Sequence, residues 1–511
     1  MKKLTRFDLA SLGLITLIGI FSAIRFQYLP QFIDGYYHLS VANGFIASGG
    51  WVGWDWWSWA PFGRPHLYPP FYHLLLSFMQ FIGISGLNSL RIVEVLITPL
   101  FFFTLWYTCS KIFNSRVSFF AILALSSFFS FYSAVSANVP ASFAMIFGFL
   151  SWLFLDKKKF LRAAICLTLT FYTHAAVCWM FFISILFVAI FDKDLRKQTL
   201  FVLLFSFVLA LPFLFHQIRY LDYLDIKVLG EVKFIHFSIF LVLLGLASCI
   251  YFIVKRERWF LFVLGYFFAA VLLFAKYPYR FFSAQGMVAA GLAAALLLER
   301  IFSVISRKKA NLLIVLVSFY LFFSHATLDL DQGKLKFNGF NSTFYNFFTA
   351  RMYSLFEFKP LLVPKYYFPI SQVIKDNTSE SDIIYSNSSI AAQIFSALTK
   401  RPSSDSMLWE VKPKKEFKNY EYAKLIIWMK SFITTNITGK EDLRWRKIYE
   451  DDIAYVFLNE KYKPSLKMRT AAVSFRFITY IIVTIALVFV LDSFIDWSFL
   501  KDKWPLSKPQ G

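Results

Sequence analysis

Long apolar runs alternate along the chain with short connections that are polar and mostly basic. In hydrocarbon the backbone must pair its polar groups within a segment, and a helix of about 20 apolar residues spans the bilayer. The pattern therefore predicts a polytopic α-helical membrane protein with about 12 transmembrane helices. We expect these helices near residues 9–28, 91–110, 117–132, 141–155, 160–173, 175–191, 198–216, 234–254, 259–275, 281–300, 310–326 and 473–495.

Two long stretches interrupt this alternation and are too polar to span a membrane. Residues 29–90 form a loop rich in Gly, Pro and Trp, in which Phe71–Phe81 has the pattern of a helix lying along the membrane surface. Residues 327–470 carry short helix and strand patterns, which predict a small α/β domain. The predicted units are a transmembrane module at 1–326 with its loop, the α/β domain, and a C-terminal helix and tail at 471–511.

The basic residues orient these spans, because cytoplasmic loops of membrane proteins carry an excess of Lys and Arg. When Lys2, Lys3 and Arg6 are placed in the cytoplasm, the predicted helices bring the later basic clusters to the same side. This requires that residues 160–191 form a tight hairpin. The result is a predicted multi-pass protein of the cell membrane with both termini cytoplasmic. The 29–90 loop and the 327–470 domain are then predicted to be external.

The composition agrees with this class and narrows the expected partners. Hydrophobic residues make up 58% of the 511 residues, charged residues make up 16%, and the mean hydropathy is +0.56. These values exclude a soluble globular protein. The net charge of +22 would suggest nucleic acid in a soluble protein, but here the basic residues lie between apolar runs. Topology therefore explains the charge, and we expect membrane lipids and no nucleic acid as partners.

Asp34 is the first candidate for chemistry, because ionisable groups at a membrane boundary are often functional. It follows the first span, and His38 lies one helical turn further along. The carboxylate could act as a general base, or it could bind a divalent metal such as Mg²⁺ or Mn²⁺ together with His38. The structural alternative is that Asp34 caps a surface helix beginning at Gly35. The sequence indicates no certain cofactor, since it contains no P-loop and no GxGxxG motif.

Three residues on the same predicted side are candidates for substrate binding. Arg64 and His66 lie in the segment GRPHLYPP, where Gly and Pro restrict the backbone. Arg64 could bind a phosphate through two hydrogen bonds, or it could form a salt bridge with Asp55 inside a turn. His174 lies at the external turn of the predicted hairpin and could contact the substrate or belong to the core.

Lys276 and Arg280 are also candidates, since they are basic residues on the predicted external side. They lie in KYPYRFF at the start of a predicted helix, where an anion such as phosphate could bind. The loop also holds several tryptophans, which we interpret as anchors at the membrane interface, with sugar stacking as the alternative. They are Trp51, Trp54, Trp56, Trp57 and Trp59.

The order of these features resembles the GT-C superfamily of membrane glycosyltransferases. The segment DGYYHLSVANGFIASGGWVGWDWWSWAPFGRPHLYPP is similar to the first loop of the catalytic subunits of archaeal and bacterial oligosaccharyltransferases. KYPYRFF resembles a later segment of that family in which an Arg contacts lipid-linked phosphate, and Asp382–Pro402 resembles the start of an external domain. The resemblance implies a GT-C fold, with Asp34 as base or metal ligand and Arg280 on the donor phosphate.

Two motifs of the oligosaccharyltransferases are missing from the sequence. Their second acidic motif should fall near Ser136–Pro140, where the residues are SANVP, and their WWDYG motif is absent. These departures argue against an N-oligosaccharyltransferase. They favour a relative that uses Asp34 alone as its base.

The resemblance and the candidate residues together predict a membrane glycosyltransferase. It would move a sugar from a polyprenyl-phosphate-linked donor to a glycan, lipid or protein acceptor on the extracytoplasmic side. Two alternatives stay open, a transporter or flippase of lipid-linked glycans and a relative that binds them without catalysis. The spans show no two-fold repeat, which argues against a transporter.

Overall fold

Helices dominate the computed structural model, which describes residues 4–30, 32–225, 234–255, 260–275, 278–282, 284–339, 364–407, 411–414, 419–430, 445–464, 466–467 and 469–492. The first helix is Arg6–Ile24 (α1), and two helices follow in the predicted loop, Ile33–Ser48 (α2) and Phe71–Phe81 (α3). The next helices are Gly86–Ile112 (α4), Ser115–Ser126 (α5), Phe129–Ala137 (α6), Val139–Asp156 (α7), Phe160–Phe171 (α8), Val177–Phe191 (α9) and Arg196–Arg219 (α10). They are followed by Ile239–Lys255 (α11), Phe260–Phe274 (α12), Pro278–Phe282 (α13), Met287–Val304 (α14) and Arg307–Phe323 (α15).

Five of the described helical segments are long and apolar enough to cross a membrane. They are α1, α4, α7, α10 and the stretch Arg280–Val304. Helices also occupy the other predicted spans, although the 117–132 span is divided between α5 and α6 and the 234–254 span begins as a strand. The helical membrane class is therefore supported, while the number of 12 crossings stays a prediction.

The predicted hairpin is present, because α8 and α9 are separated by the short turn 172–176. α9 packs against α12, and α8 packs against α7 and α10. The turn holds His174. The expected helix at Phe71–Phe81 is also present as α3.

Short strands join distant parts of the chain. In the loop, Gly50–Trp51 (β1), Trp54–Asp55 (β2) and Arg64–Pro65 (β3) are strands, and β2 pairs with β3. Further along, Phe234–Ser238 (β4), His325–Asp329 (β5) and Lys334–Gly339 (β6) form an antiparallel sheet in the order β4-β5-β6. This sheet links the segment before α11 to the segment after α15.

The stretch after residue 363 contains the predicted α/β elements. Two helices, Phe368–Asn377 (α16) and Ser389–Thr399 (α17), accompany the strands Ile384–Ser386 (β7), Leu425–Met429 (β8), Trp445–Glu450 (β9) and Ala454–Asn459 (β10). The sheet order is β7-β8-β10-β9, with β7 parallel to β8 and the other pairs antiparallel. The chain then forms Val473–Ser474 (β11), which pairs with β1, and the helix Phe475–Leu491 (α18).

The α/β unit is bound directly to the loop that carries Asp34. Ser40 on α2 lies 3.0 Å from Ser396 on α17 through their hydroxyl oxygens, and the amide of Asn43 donates to the carbonyl of Ala397 at 3.0 Å. The amide of Ala60 donates to the carbonyl of Ser403 at 2.9 Å. The position of α2 and of the following loop is therefore set by residues more than three hundred positions later in the chain.

The interior of the loop is aromatic. Trp56 and Trp57 are buried in a small core with Tyr37, Val41 and Phe45 of α2. The interpretation of these two tryptophans as interfacial anchors is therefore wrong, because their rings pack inside the protein. Trp57 lies directly on Gly44, where an added Cβ would come within 2.1 Å of the indole ring.

We predict that Gly44→Ala lowers the thermal stability of the protein. A methyl group at this position must displace Trp57 from the core, and overpacking of this kind costs about 1–3 kcal/mol. The measurement is thermal unfolding of purified protein in detergent, followed by tryptophan fluorescence. Gly13→Ala on α1 is the control, since no atom lies within 4 Å of a Cβ added there. Equal melting temperatures for Gly44→Ala and the wild type would contradict this packing.

Candidate active site

Asp34 lies in the first turn of α2 and is half-buried. The helix begins at Ile33 after Phe32, so the alternative in which Asp34 precedes and caps a helix beginning at Gly35 is wrong. A carboxylate in the first helical turn is stabilised by the helix dipole. Asp34 and His38 are four residues apart and lie on one face of α2, as the sequence predicts.

His38 contacts a second histidine that the sequence analysis did not select. Its Nδ1 lies 2.8 Å from Nε2 of His73, which α3 presents to α2. Burial lowers the pKa of His38 to about 3 and lowers the pKa of His73 well below its usual value. Both rings are therefore neutral near pH 7, and one proton lies between the two nitrogens.

The position of the proton shared by this pair follows from the environment of Nδ1, the other nitrogen of the His73 ring. Nδ1 of His73 is buried and has no hydrogen-bond partner among the described residues. A buried unpaired N–H is rarer in proteins than a buried unpaired acceptor. We therefore assign the proton to Nε2 of His73, which donates to Nδ1 of His38. Nε2 of His38 then carries a proton, and the ring can donate a hydrogen bond.

His66, a predicted substrate-binding residue, is buried within the cluster. Its side chain is 1% exposed, and neither ring nitrogen has a hydrogen-bond partner among the described residues. The ring packs against Phe45 at 5.3 Å and against His73 at 5.3 Å between ring centroids. Its backbone is held from both sides, since its amide donates to the carbonyl of Gly53 and its carbonyl accepts from Nε2 of His216. Burial, with the charges of His216, Arg64 and His38, lowers its pKa to about 3.

His174 has a defined tautomer. Its Nδ1 accepts the backbone N–H groups of Ala176 at 3.2 Å and Val177 at 3.3 Å, at the start of α9. Because Nδ1 accepts, the proton of the neutral ring is on Nε2, which is a donor. Burial, followed by the charges of Arg280 and His38, lowers the pKa of His174 to about 3. The imidazole therefore stays neutral across the physiological range.

The charge of Arg280 contributes to the lowered pKa of His174, so the two side chains lie within electrostatic range of each other. It belongs to α13, immediately before the long helix α14. His38 and His174 both pack against the ring of Tyr68, at 5.0 Å and 6.5 Å between ring centroids, and Asp34 lies one turn from His38. Lys276, the other predicted ligand of the phosphate, lies outside the described residues.

Arg64 adopts the structural alternative that the sequence left open. Its Nε lies 3.1 Å from Oδ2 of Asp55, and the two side chains are 2% and 1% exposed. Its Nη1 also donates to the carbonyl of Val411 at 2.7 Å, so it connects the loop to the α/β unit. A phosphate could reach this guanidinium only if the surrounding core opened. The role of Arg64 as a phosphate ligand therefore gains no support from its position.

The described residues contain no group of three or more His, Cys, Asp or Glu side chains that could hold a metal ion. One nitrogen of His38 is engaged by His73, which leaves Asp34 and His38 as an incomplete ligand set.

Two further residues near Asp34 escaped the sequence analysis. Glu94, on α4, is 5% exposed and lies against Gly35, where an added Cβ would be 2.9 Å from its Oε1. Tyr72 packs its ring on His38, with 5.0 Å between ring centroids. A carboxylate inside an apolar span is a recognisable signal, because such groups are costly to bury. Glu94 lies inside a predicted span, so this signal was present in the sequence.

The comparisons with known proteins bear on the fold. No protein-family model matches the chain, and no curated protein matches it in sequence. Among solved structures, ArnT from Cupriavidus metallidurans in the apo state matches at a TM-score of 0.50 and 13% identity, over 87% of this chain and 97% of that one. The chain therefore shares the fold of this GT-C protein. The expected GT-C architecture is thereby confirmed at the level of the fold.

An archaeal oligosaccharyltransferase has a similar chain path. AglB from Archaeoglobus fulgidus, solved with an inhibitory peptide and a dolichol-phosphate, matches at a TM-score of 0.49 and 12% identity. The match covers 82% of this chain and 69% of that chain. At this level of similarity neither relative assigns an activity to the present protein.

We predict that acidification destabilises the protein through the buried imidazoles. His66 has a pKa of about 3 in the folded state and about 6.5 when unfolded. The unfolded chain therefore binds a proton that the folded chain excludes, and stability falls as the pH drops from about 6.5 towards 3. The slope from one such group is about 1.4 kcal/mol per pH unit.

The test compares wild type with His66→Phe by thermal unfolding between about pH 4.5 and 7.5. We expect the loss of melting temperature on acidification to be smaller in His66→Phe. Phe45→Leu is the control, because it alters the packing around His66 without removing a titratable group. Identical slopes in the wild type and in His66→Phe would contradict the buried neutral state of His66.

Proposed function

We propose that this protein transfers a sugar from a polyprenyl-phosphate-linked donor to an acceptor hydroxyl on the extracytoplasmic side of the membrane. The observation that supports the proposal is that His38 and His174 both pack against the ring of Tyr68, with Asp34 one helical turn from His38 and with the charge of Arg280 acting on His174. A cation and two neutral N–H donors next to a carboxylate fit an anionic leaving group beside a general base. The GT-C fold supports the same class of reaction.

Asp34 acts as the general base in this mechanism. Its carboxylate takes the proton of the acceptor hydroxyl while the acceptor oxygen attacks the anomeric carbon. The bond between that carbon and the phosphate oxygen breaks, and the electron pair leaves with the phosphate. Asp34 is half-buried in the first turn of α2, so part of its side chain is open to an approaching acceptor.

Arg280 and His174 stabilise the departing phosphate. Negative charge on the phosphate increases as the glycosidic bond breaks, and preorganised donors stabilise that charge most strongly where water is excluded. Arg280 supplies the positive charge, and Nε2 of His174 supplies a hydrogen-bond donor that does not titrate near neutral pH. His38 supplies a second neutral donor. The imidazoles thus bind and orient the substrate, and the carboxylate carries the proton.

We expect Asp34→Asn to abolish sugar transfer while the protein still folds. Removal of a general base lowers the rate by about 10²–10⁴-fold. The assay uses purified protein in liposomes with a radiolabelled polyprenyl-phosphate sugar and the candidate acceptors. Asp222→Asn is the control, because this carboxylate is exposed and lies away from the cluster in a pair with Lys414.

Full transfer activity in Asp34→Asn would rule out this mechanism. The same liposomes separate the two alternative functions. Movement of the labelled lipid across the bilayer without a glycosylated product would identify a flippase. Binding of the labelled lipid with neither movement nor product would identify a protein that has lost catalysis.

We also predict different effects of two substitutions at His174. The side chain of His174→Asn can still accept the N–H groups of Ala176 and Val177, so the start of α9 is preserved, but it has no donor at the position of Nε2. Loss of a hydrogen bond to a charged group weakens binding by about 10–100-fold. His174→Gln places an N–H near the position of Nε2 and should bind the donor more tightly than His174→Asn.

The measurement is the affinity of each variant for a polyprenyl monophosphate, together with its melting temperature. We expect His174→Asn to melt near the wild type and to bind the lipid phosphate more weakly. Arg280→Met should lose affinity in the same direction. Unchanged affinity in His174→Asn would show that Nε2 does not contact the phosphate.

A further inference from the structure

A buried carboxylate on α4 lies beside the turn that presents Asp34. Glu94 is 5% exposed, in a helix long and apolar enough to cross a membrane. Burying an ionisable side chain in such a helix is costly, and groups of this kind are commonly retained for function. The proposed mechanism assigns no role to Glu94.

The contact between Glu94 and α2 is unusually close. A Cβ at Gly35 would lie 2.9 Å from Oε1 of Glu94, 3.0 Å from Pro30 and 3.3 Å from Leu90. A side chain at position 35 would therefore require Glu94 or its neighbours to shift. Gly35 follows Asp34 directly in the same first turn of α2. The Glu94 carboxylate therefore touches the backbone that carries the base.

A second polar residue of α4 contacts the segment that leads into α2. Arg91, one turn before Glu94, donates from Nε to the carbonyl of Leu29 at 3.0 Å and from Nη2 to the carbonyl of Gln27 at 3.1 Å. Arg91 thus fixes the chain before α2, and Glu94 meets the helix where it begins. The two residues together determine where the first turn of α2 lies relative to α4.

The charge of Glu94 also acts on Tyr72, a neighbour of the histidine cluster. The Tyr72 hydroxyl is fully buried and has no hydrogen-bond partner among the described residues. Burial, then the charge of Glu94, then Tyr68, raises the pKa of Tyr72 well above its usual value. The Tyr72 ring packs on His38, so the tyrosine on which the charge of Glu94 acts lies against α2.

We infer that Glu94 is a positioning residue for Asp34, which holds the first turn of α2 in place and sets the electrostatic environment of the base through its negative charge. The inference rests on the proposed role of Asp34 as the base. The charged and titratable residues on the elements that meet at Glu94 are Asp34, Tyr36, Tyr37 and His38 on α2, Tyr72 and His73 on α3, Arg91 in the first two turns of α4, and Arg25 and Tyr28 in the connection before α2.

The first experiment measures this environment without any enzymatic assay. Asp34→Cys places a thiol at the position of the base, and its reaction rate with a methanethiosulfonate reagent is followed against pH. The four native cysteines are all buried, so they contribute little to the signal. The thiolate is the reactive form, and a nearby negative charge opposes its formation.

We expect the added substitution Glu94→Gln to lower the pH midpoint of this reaction by about one pH unit, since like charges several ångström apart interact at about this strength. Glu299→Gln is the matched control, because Glu299 is a poorly exposed carboxylate on a different helix, near Arg116. The midpoint should not move in the control. Coincident midpoints with and without Glu94→Gln would overturn the inference.

A second measurement uses Asp34 itself, in case the double variant fails to fold. Glu94→Gln alone should lower kcat for sugar transfer about tenfold or more, leave KM for the lipid donor nearly unchanged, and move the acid limb of the pH profile to lower pH. If Glu94 were only structural, kcat and melting temperature would fall while the pH profile stayed in place. That result would also overturn the inference.

The two measurements separate this inference from the proposed function. If the wild type shows no sugar transfer, the proposed function fails, whereas the thiol measurement still decides whether Glu94 controls the charge environment at position 34. If the wild type transfers sugar and the thiol midpoint does not respond to Glu94→Gln, the function stands and the role of Glu94 is refuted.

Discussion

The packing of α2 against α4 and Trp57 is the contact on which the candidate site depends. Gly35 and Gly44 make this packing possible, because an added Cβ would lie 2.9 Å from Glu94 and 2.1 Å from the Trp57 ring. With α2 this close to its neighbours, His38 reaches His73 on α3. If a side chain at position 35 or 44 displaced α2, the imidazoles of His38 and His73 would separate and Asp34 would move.

The loop around α2 is a folded unit held by the distant α/β segment. Arg64 joins Asp55 inside the loop to the carbonyl of Val411, and Ser403 exchanges backbone hydrogen bonds with Trp57 and Ala60. A buried ion pair of this kind is costly to break, since removal of one partner leaves an isolated charge in the core. Arg64, a candidate phosphate ligand in the sequence, therefore stabilises the fold of the loop that contains Asp34.

Burial determines which ionisable groups of the site are charged near neutral pH. It keeps the imidazoles neutral, so His174 is an acceptor towards α9 and a donor on its other nitrogen. In the proposed mechanism the carboxylate of Asp34 accepts the proton and Arg280 supplies the positive charge. This division suits a reaction in which a proton and a negative charge move in opposite directions, and it follows from the low polarity of the surroundings.

The sequence alone determined the helical membrane class and the position of most helices, because a span needs a continuous apolar run and the period of that run is local. It also indicated His38, His174 and Arg280, which lie together, and the salt bridge of Arg64 as one of two alternatives. Only the tertiary structure decided that His38 pairs with His73, that His174 presents Nε2, that Trp56 and Trp57 are core residues, and that Glu94 lies on Gly35. These contacts join helices far apart in the chain, and their geometry depends on how closely the helices pack, which no local pattern of apolar and polar residues encodes.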